Sequence, residues 1–299
     1  MFRKTLTVLI ATAFALSLKA APGEAPAART LSATEIADKN VAARGGLQAW
    51  RAVETMTLTG KMGAGGNQRA TLSVPITGGQ RAQSSLQGVR GRRVDEVQLP
   101  FEMDLARPHK ARVELQIKEQ TAIQVYDGTN GWKVRPFLNR LDVEPYTAEE
   151  MKIASKGSEL DGLIVDYVAK GTRIELDGIE KVEDRDTYKL KLTLKSGDVP
   201  HVWVDTQTFL EAKVEGQPRR LDGTYHPVEV YYRDYRNVDG LEVPFVLETR
   251  VLPVAKTALG LRDTPVPPER SIIEKVVINP KFDAGTFSKP AVSAASKAK

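Results

Sequence analysis

The sequence contains no cysteine. That excludes disulfides, thiolate metal sites, iron–sulfur clusters and a cysteine nucleophile. It also excludes the lipidated cysteine of a bacterial lipoprotein anchor. Histidine is nearly as scarce, with 3 in 299 residues. His109, His201 and His226 fall in separate strands or loops, without metal-ligand spacing. Aromatic residues make up only 6%. Beyond the N-terminus, no run reaches the ~18 apolar residues of a membrane-spanning helix. A strong charge of one sign is missing too. The formal charge is +5, and Arg3, Lys4 and Lys19 lie in a first stretch of twenty residues that holds no acid. The rest is slightly basic, with one local cluster at Arg90, Arg92 and Arg93, too little for a nucleic-acid footprint. No GxSxG, HExxH or complete Walker motif is present. Glu149-Glu150 sits where a helix N-terminus favours carboxylates. The expectation is therefore no catalytic residue, no cofactor and no metal site.

What is present starts with an export signal. Residues 1–4 are basic, residues 5–18 are apolar, and small residues follow at Ala20 and Ala21. This predicts a signal peptide over 1–20, cleaved near residues 17–21, and places the body outside the cytoplasm, in the periplasm. An Ala/Pro-rich linker follows over 21–30. Residues 31–290 are expected to form a single domain, with a disordered tail over 291–299.

Two segments carry strong helix-start signals. Ser32 and Glu35 have capping-box spacing, with Leu31 and Ile36 as the hydrophobic staple. Gly45-Gly46 should end that helix. Thr147 and Glu150 repeat the box, with Tyr146 and Met151 as staple, which predicts a helix from Ala148 to about Lys156. Residues 160–168 could be a short helix or a strand.

Nearly everything else alternates with period two, as in Met56, Leu58 and Met62; Leu72, Val74 and Ile76; Val113, Leu115 and Ile117; Leu190, Leu192 and Leu194; and Leu241, Val243, Phe245 and Leu247. Strict alternation marks antiparallel strands with one packed and one wet face. Asp-Gly pairs at 127, 177, 222 and 239 supply the turns. Gly60–Gly66 reads as a flexible hairpin tip, and the proline-rich stretch 252–270 as a long loop between strands. A sheet of eleven or more strands twists and curls. The expected fold is mainly β: one large curved antiparallel sheet, a half-barrel, with two or three helices covering its concave face. An apolar cavity should remain between them. Val113, Leu115, Ile117, Leu190, Leu192 and Leu194 are its candidate lining. Trp132 and Phe137, which follow a tight turn, are further candidates. Trp132 is open between a sheet-core anchor and a cavity wall. Trp203, opposite in parity to Val202 and Val204, should face outward if those valines face inward.

Three stretches resemble the periplasmic outer-membrane lipoprotein-sorting-like proteins of the LolA/LolB-like superfamily. The first runs Ala42-Ala43-Arg44-Gly45-Gly46-Leu47-Gln48-Ala49-Trp50 into Met56–Met62. The second is Tyr126-Asp127-Gly128-Thr129-Asn130-Gly131-Trp132 with Pro136-Phe137 and Asp161-Gly162-Leu163-Ile164-Val165-Asp166-Tyr167. The third is Asp234-Tyr235-Arg236-Asn237-Val238-Asp239-Gly240-Leu241-Glu242-Val243-Pro244-Phe245, ending near Asn279-Pro280 and Phe287. The resemblance implies a half-barrel with a hydrophobic cavity that binds acyl chains. On that reading the protein is a monomeric soluble carrier of lipids or lipoproteins toward the outer membrane, handing over to a membrane-bound or envelope partner. The alternative is an envelope sensor module that binds a protein. A hydrolase is a third class, without a nucleophile motif to support it.

Overall fold

The computed structural model describes residues 31–65, 96–221, 223–256, 260 and 266–291. The expected signal peptide, the linker, the strand at Leu72, Val74 and Ile76, the Arg90, Arg92 and Arg93 cluster, the centre of the 252–270 loop and the tail lie outside these residues. So does the side chain of Phe137.

Helix α1 (Ala33–Ala43) starts at Ser32 and α3 (Ala148–Gly157) at Thr147, each with both hydrogen bonds of its capping box formed. Between them in sequence, α2 (Leu47–Arg51) is one short turn that buries Trp50. It follows Gly46 at φ 94°, a left-handed conformation that glycine adopts at little cost. The strands are β1 (Thr55–Gly65), β2 (Glu96–Ala106), β3 (Lys110–Ile117), β4 (Gln120–Tyr126), β5 (Gly131–Arg135), β6 (Arg140–Pro145), β7 (Arg173–Val182), β8 (Arg185–Thr193), β9 (His201–Asp205), β10 (Glu211–Leu221), β11 (Thr224–Val238), β12 (Leu241–Val251) and β13 (Glu269–Ile278).

All thirteen form one antiparallel sheet in the order β6-β5-β4-β3-β2-β1-β13-β12-β11-β10-β9-β8-β7. Two hairpin meanders, β1 to β6 and β7 to β13, are joined where β1 pairs with β13, Met56 opposite Ile278. The first meander ends at one sheet edge and the second begins at the other. Residues 146–172 therefore cross from edge to edge. A flat sheet of this many strands would be about 58 Å wide. Helix α3 covers only about 15 Å of that, and the rest of the crossing is turns, which advance less than strands. The connection closes because the sheet is curled, bringing its edges together with the connector over the concave side. The fold is the mainly β open half-barrel with three covering helices that the alternation and turn pattern implied.

Four local expectations change. Asp177-Gly178 is not a turn between strands but lies inside β7, at a register shift against β8 where Gly178 takes φ 125°. Gly60 and Gly63 are not a hairpin tip but belong to β1. Gly60 sits at a register shift against β13, and a Cβ there would fall 2.1 Å from the Ile272 carbonyl oxygen. A glycine that lets two backbones approach is a bulge signal inside a strand. Residues 160–168 are neither helix nor strand but successive turns, with Tyr167 N–H donating to Ile164 and Lys170 N–H to Asp166. Arg270 lies in β13 opposite Glu248 rather than in the long loop.

The main core joins Val113 and Leu115 of β3 and Phe101 and Leu105 of β2 to Tyr146, Ala154 of α3 and Val165 of the connector. On the opposite, convex face a small second cluster forms from Val182, Trp203, Ala212 and Tyr231. Trp203 thus faces away from Val202 and Val204, as its parity required. Its indole donates to Glu180, and the Lys213 ammonium stands 3.8 Å from its ring centre.

Candidate functional site

A cavity of about 280 Å³ lies between the concave face and the covering segments. Met56 and Leu58 of β1, Met103 and Leu105 of β2, and Ile273 of β13 form one wall. Val202, Val214, Val243 and Leu247 form the other. Leu160, Leu163 and Ile164 of the connector close it from above, and Trp50 closes the end beside α2. These strand residues lie within the runs of alternating apolar residues. Period two turns such residues to one face, and the curl brings faces from distant strands together.

One end of the cavity is polar. Arg44, just past α1, stacks 4.4 Å over the Trp50 ring. Its Nη1 donates to the Asp161 carbonyl at 2.8 Å and to Glu211 Oε1 at 3.3 Å. Its Nε is buried without an acceptor. Glu211 also accepts from the Tyr235 hydroxyl at 3.2 Å. Tyr232 lines the same end, and its hydroxyl makes no hydrogen bond among the described residues. Burial pushes the Tyr232 phenol up to about 12, helped by the Glu211 charge and opposed by Arg44. Burial raises the Tyr235 phenol as well. Both tyrosines reach the cavity although they are three apart in a strand. Asp234 between them is left-handed, at φ 52°, and interrupts the alternation. Aspartate is among the few residues that tolerate this conformation.

Next to the cavity lies a larger depression of about 500 Å³, which shares Glu159 and Leu163 with it. Its character is polar. Lys156 is paired with Asp198 at 2.6 Å. Lys170 is paired with Glu159 at 2.7 Å and Asp161 at 2.6 Å. Asp161 receives Arg107 too, at 2.8 Å. These contacts tie the connector to the β2–β3 turn and to the β8–β9 turn.

The residues singled out from sequence are distributed as follows. Val113 and Leu115 are fully buried in the main core, with Ile117 packed against it. Leu190 and Leu192 are fully buried on the β8 face that pairs with Val202. Leu194 lines the polar depression. Trp132 is half-buried and pairs with Val125 and Pro145; its neighbour Lys133 reaches α3, so Trp132 is on the face turned away from α3. The 280 Å³ cavity is lined by other residues. Arg44, Glu211, Tyr232 and Tyr235 were not singled out. Tyr232 carried a signal, since it continues the alternation of Val228 and Val230. Glu211 carried none, since the alternation of Leu210, Ala212 and Val214 puts it with Lys213 on the other face; a register shift between Glu211 and Lys213 turns it to the cavity.

Among the described residues there is no group of histidine, aspartate and glutamate arranged to hold a metal, and no helix long and apolar enough to cross a membrane. The architecture is that of an open β half-barrel with a covered apolar cavity. No family model matches the chain, and no curated protein matches it. Among solved structures it is similar to a LolA superfamily protein from Nitrosomonas europaea, at 12% identity and a TM-score of 0.48, over 87% of this chain and 99% of that one. It is similar to an outer membrane lipoprotein-sorting protein domain from Vibrio parahaemolyticus, at 12% identity and a TM-score of 0.46, over 85% and 95%. It is also similar to a DUF1329 family protein from Desulfovibrio piger, at 11% identity and a TM-score of 0.47, over 85% and 96%.

Proposed function

We propose that this protein is a binding protein without turnover, which holds an acyl chain of a lipid or lipoprotein in the covered cavity and carries it through the periplasm toward the outer membrane. The observation that supports this is the cavity itself: its lining is mostly apolar, the connector covers it, and its polar groups are the cluster around Arg44 and Glu211 and Glu159 of the connector. Its 280 Å³ stands near the lower end of the ~300–1,000 Å³ range of small-ligand sites. That size suits one chain rather than several. Burying a chain contributes roughly 0.8 kcal/mol per methylene. About fourteen carbons then give on the order of 10 kcal/mol before association costs, which leaves room for micromolar affinity. Delivery needs a membrane-bound or envelope partner, because the chain must leave the cavity without crossing water.

The test is native mass spectrometry and lipid extraction of protein purified from periplasm, followed by titration of the delipidated protein with a neutral fluorescent apolar probe. Co-purified acyl lipid and saturable binding are expected. Protein that carries no lipid and binds no probe would exclude the carrier reading and favour a module that binds a protein partner.

A further inference from the structure

The polar end of the cavity is specific in its chemistry. It offers a donor: Tyr232 lines the cavity, and its hydroxyl makes no hydrogen bond among the described residues. The Arg44 side chain is only 9% exposed. A hydroxyl that faces an apolar cavity without a protein acceptor favours a ligand that supplies one there. The same end already holds a carboxylate. Glu211 is buried beside Arg44, is bonded to it and to Tyr235, and balances the guanidinium charge. Its influence on the Tyr232 hydroxyl exceeds that of Arg44. A second negative charge would therefore enter a site with no net positive charge to receive it, and would lose its hydration as well.

We propose that this end binds the uncharged carbonyl of an acyl ester or amide, and so selects chains in ester or amide linkage over free fatty-acid anions. A carbonyl oxygen has two lone pairs and no proton, which matches an end that presents the Tyr232 hydroxyl as a donor. It adds no charge beside Glu211. The acyl chain would run from there along Met56, Leu58, Met103 and Leu247. The inference rests on the acyl-cavity reading and deepens it by naming the head group.

The experiment is displacement of the neutral probe N-phenylnaphthylamine by three ligands of matched length: methyl dodecanoate, tridecane and dodecanoate. It is run at neutral pH, where the fatty acid is ionised. The ester is expected to displace the probe at about ten-fold lower concentration than the alkane, the gain of a hydrogen bond from a buried donor. Dodecanoate should fall behind the ester. Tyr232→Phe should erase most of the ester's advantage and leave tridecane unchanged. Equal displacement by ester and alkane in the wild type overturns the inference while leaving the apolar cavity intact. So does a folded Tyr232→Phe variant that keeps the advantage, or dodecanoate matching the ester. A wild type that binds neither probe nor any of the three ligands overturns the acyl-cavity reading, and this inference with it.

Discussion

Lys133 of β5 places its ammonium 2.5 and 2.6 Å from the two oxygens of Glu150 in α3, and both side chains are almost wholly buried, at 3% and 4%. Glu150 also closes the capping box, accepting from Thr147 N–H at 2.8 Å. One carboxylate thus starts the helix and fixes it to the sheet. The other side of α3 is held by more exposed contacts, Glu149 with the Tyr225 hydroxyl at 3.0 Å and Lys156 with Asp198 at 2.6 Å.

Breaking the buried pair on one side leaves a charge without its counter-ion. Lys133→Met is expected to cost about 3–5 kcal/mol. Lys133→Met combined with Glu150→Leu should recover a large part of that loss, short of the missing cap, which contributes about 1 kcal/mol. Urea unfolding of the two variants checks this. A double variant no more stable than Lys133→Met would show that the ion pair is not the source of the cost.

A second expectation concerns acid. Arg233 grips Glu183 with two hydrogen bonds, at 2.8 and 2.6 Å, and Arg250 adds a third. Chiefly through the Arg233 bond, the Glu183 carboxyl is held at about 2, below its ordinary value of 4.5. A depressed acid contributes stability that is present above its unfolded value and is lost as pH falls through the folded one. Glu183→Gln should therefore lower stability above about pH 5, with the difference shrinking between 4.5 and 2. Glu183 is 39% exposed and solvent screens it, so the effect should be about 1 kcal/mol or less. Thermal melts at a series of pH values measure it, and a gap that widens in acid would contradict the assignment.

The β1–β13 junction should be intolerant of a side chain at position 60. The Cβ of Gly60→Ala would meet backbone, the Ile272 carbonyl oxygen at 2.1 Å and the Ile273 Cα at 2.9 Å. Relief requires moving the strand that joins the two meanders. A loss of about 3 kcal/mol is expected. Gly157→Ala, where a Cβ meets nothing within 4 Å, is the control and should change little. Denaturant midpoints of the two variants decide.

Filling the cavity should block binding without unfolding the sheet. Leu247 lines it and is half-buried. Leu247→Trp puts a larger apolar group into existing space, at a cost under about 3 kcal/mol. Probe titration should lose saturable binding, while circular dichroism stays that of the parent. Undiminished binding would place the ligand elsewhere.

The particular residues show what was legible and why. Ser32 with Glu35 and Thr147 with Glu150 declare their helices in four residues, because a capping box is a local hydrogen-bond exchange. The strands declare themselves through alternation, and the turns after β4 and β11 through Asp127-Gly128 and Asp239-Gly240, whereas Asp177-Gly178 marks a bulge inside β7. The curled sheet follows from their number. By contrast, Gly60 looked like a turn because the glycines around it could serve a hairpin; its need is a backbone from β13, more than two hundred residues away in sequence. Tyr235 would face away from Tyr232 under strict alternation, and the left-handed Asp234 brings both to the cavity.

The sequence by itself determined the mainly β class, the helix starts, the wet and packed faces of the strands, and the absence of thiol chemistry. These depend on neighbours a few residues apart. Only the tertiary structure decided which part of the packed face stays open. Val113 and Leu115 have the same pattern as Met56 and Leu58, and all four belong to or pack against one core, yet only Met56 and Leu58 also line the cavity. The difference is where residues 146–172 cross the sheet, and that is set by β6 and β7 lying at opposite edges. Glu211 and Tyr232 are neighbours through the β10–β11 hairpin, but Arg44, 167 residues away in sequence from Glu211, reaches them only through the tertiary fold.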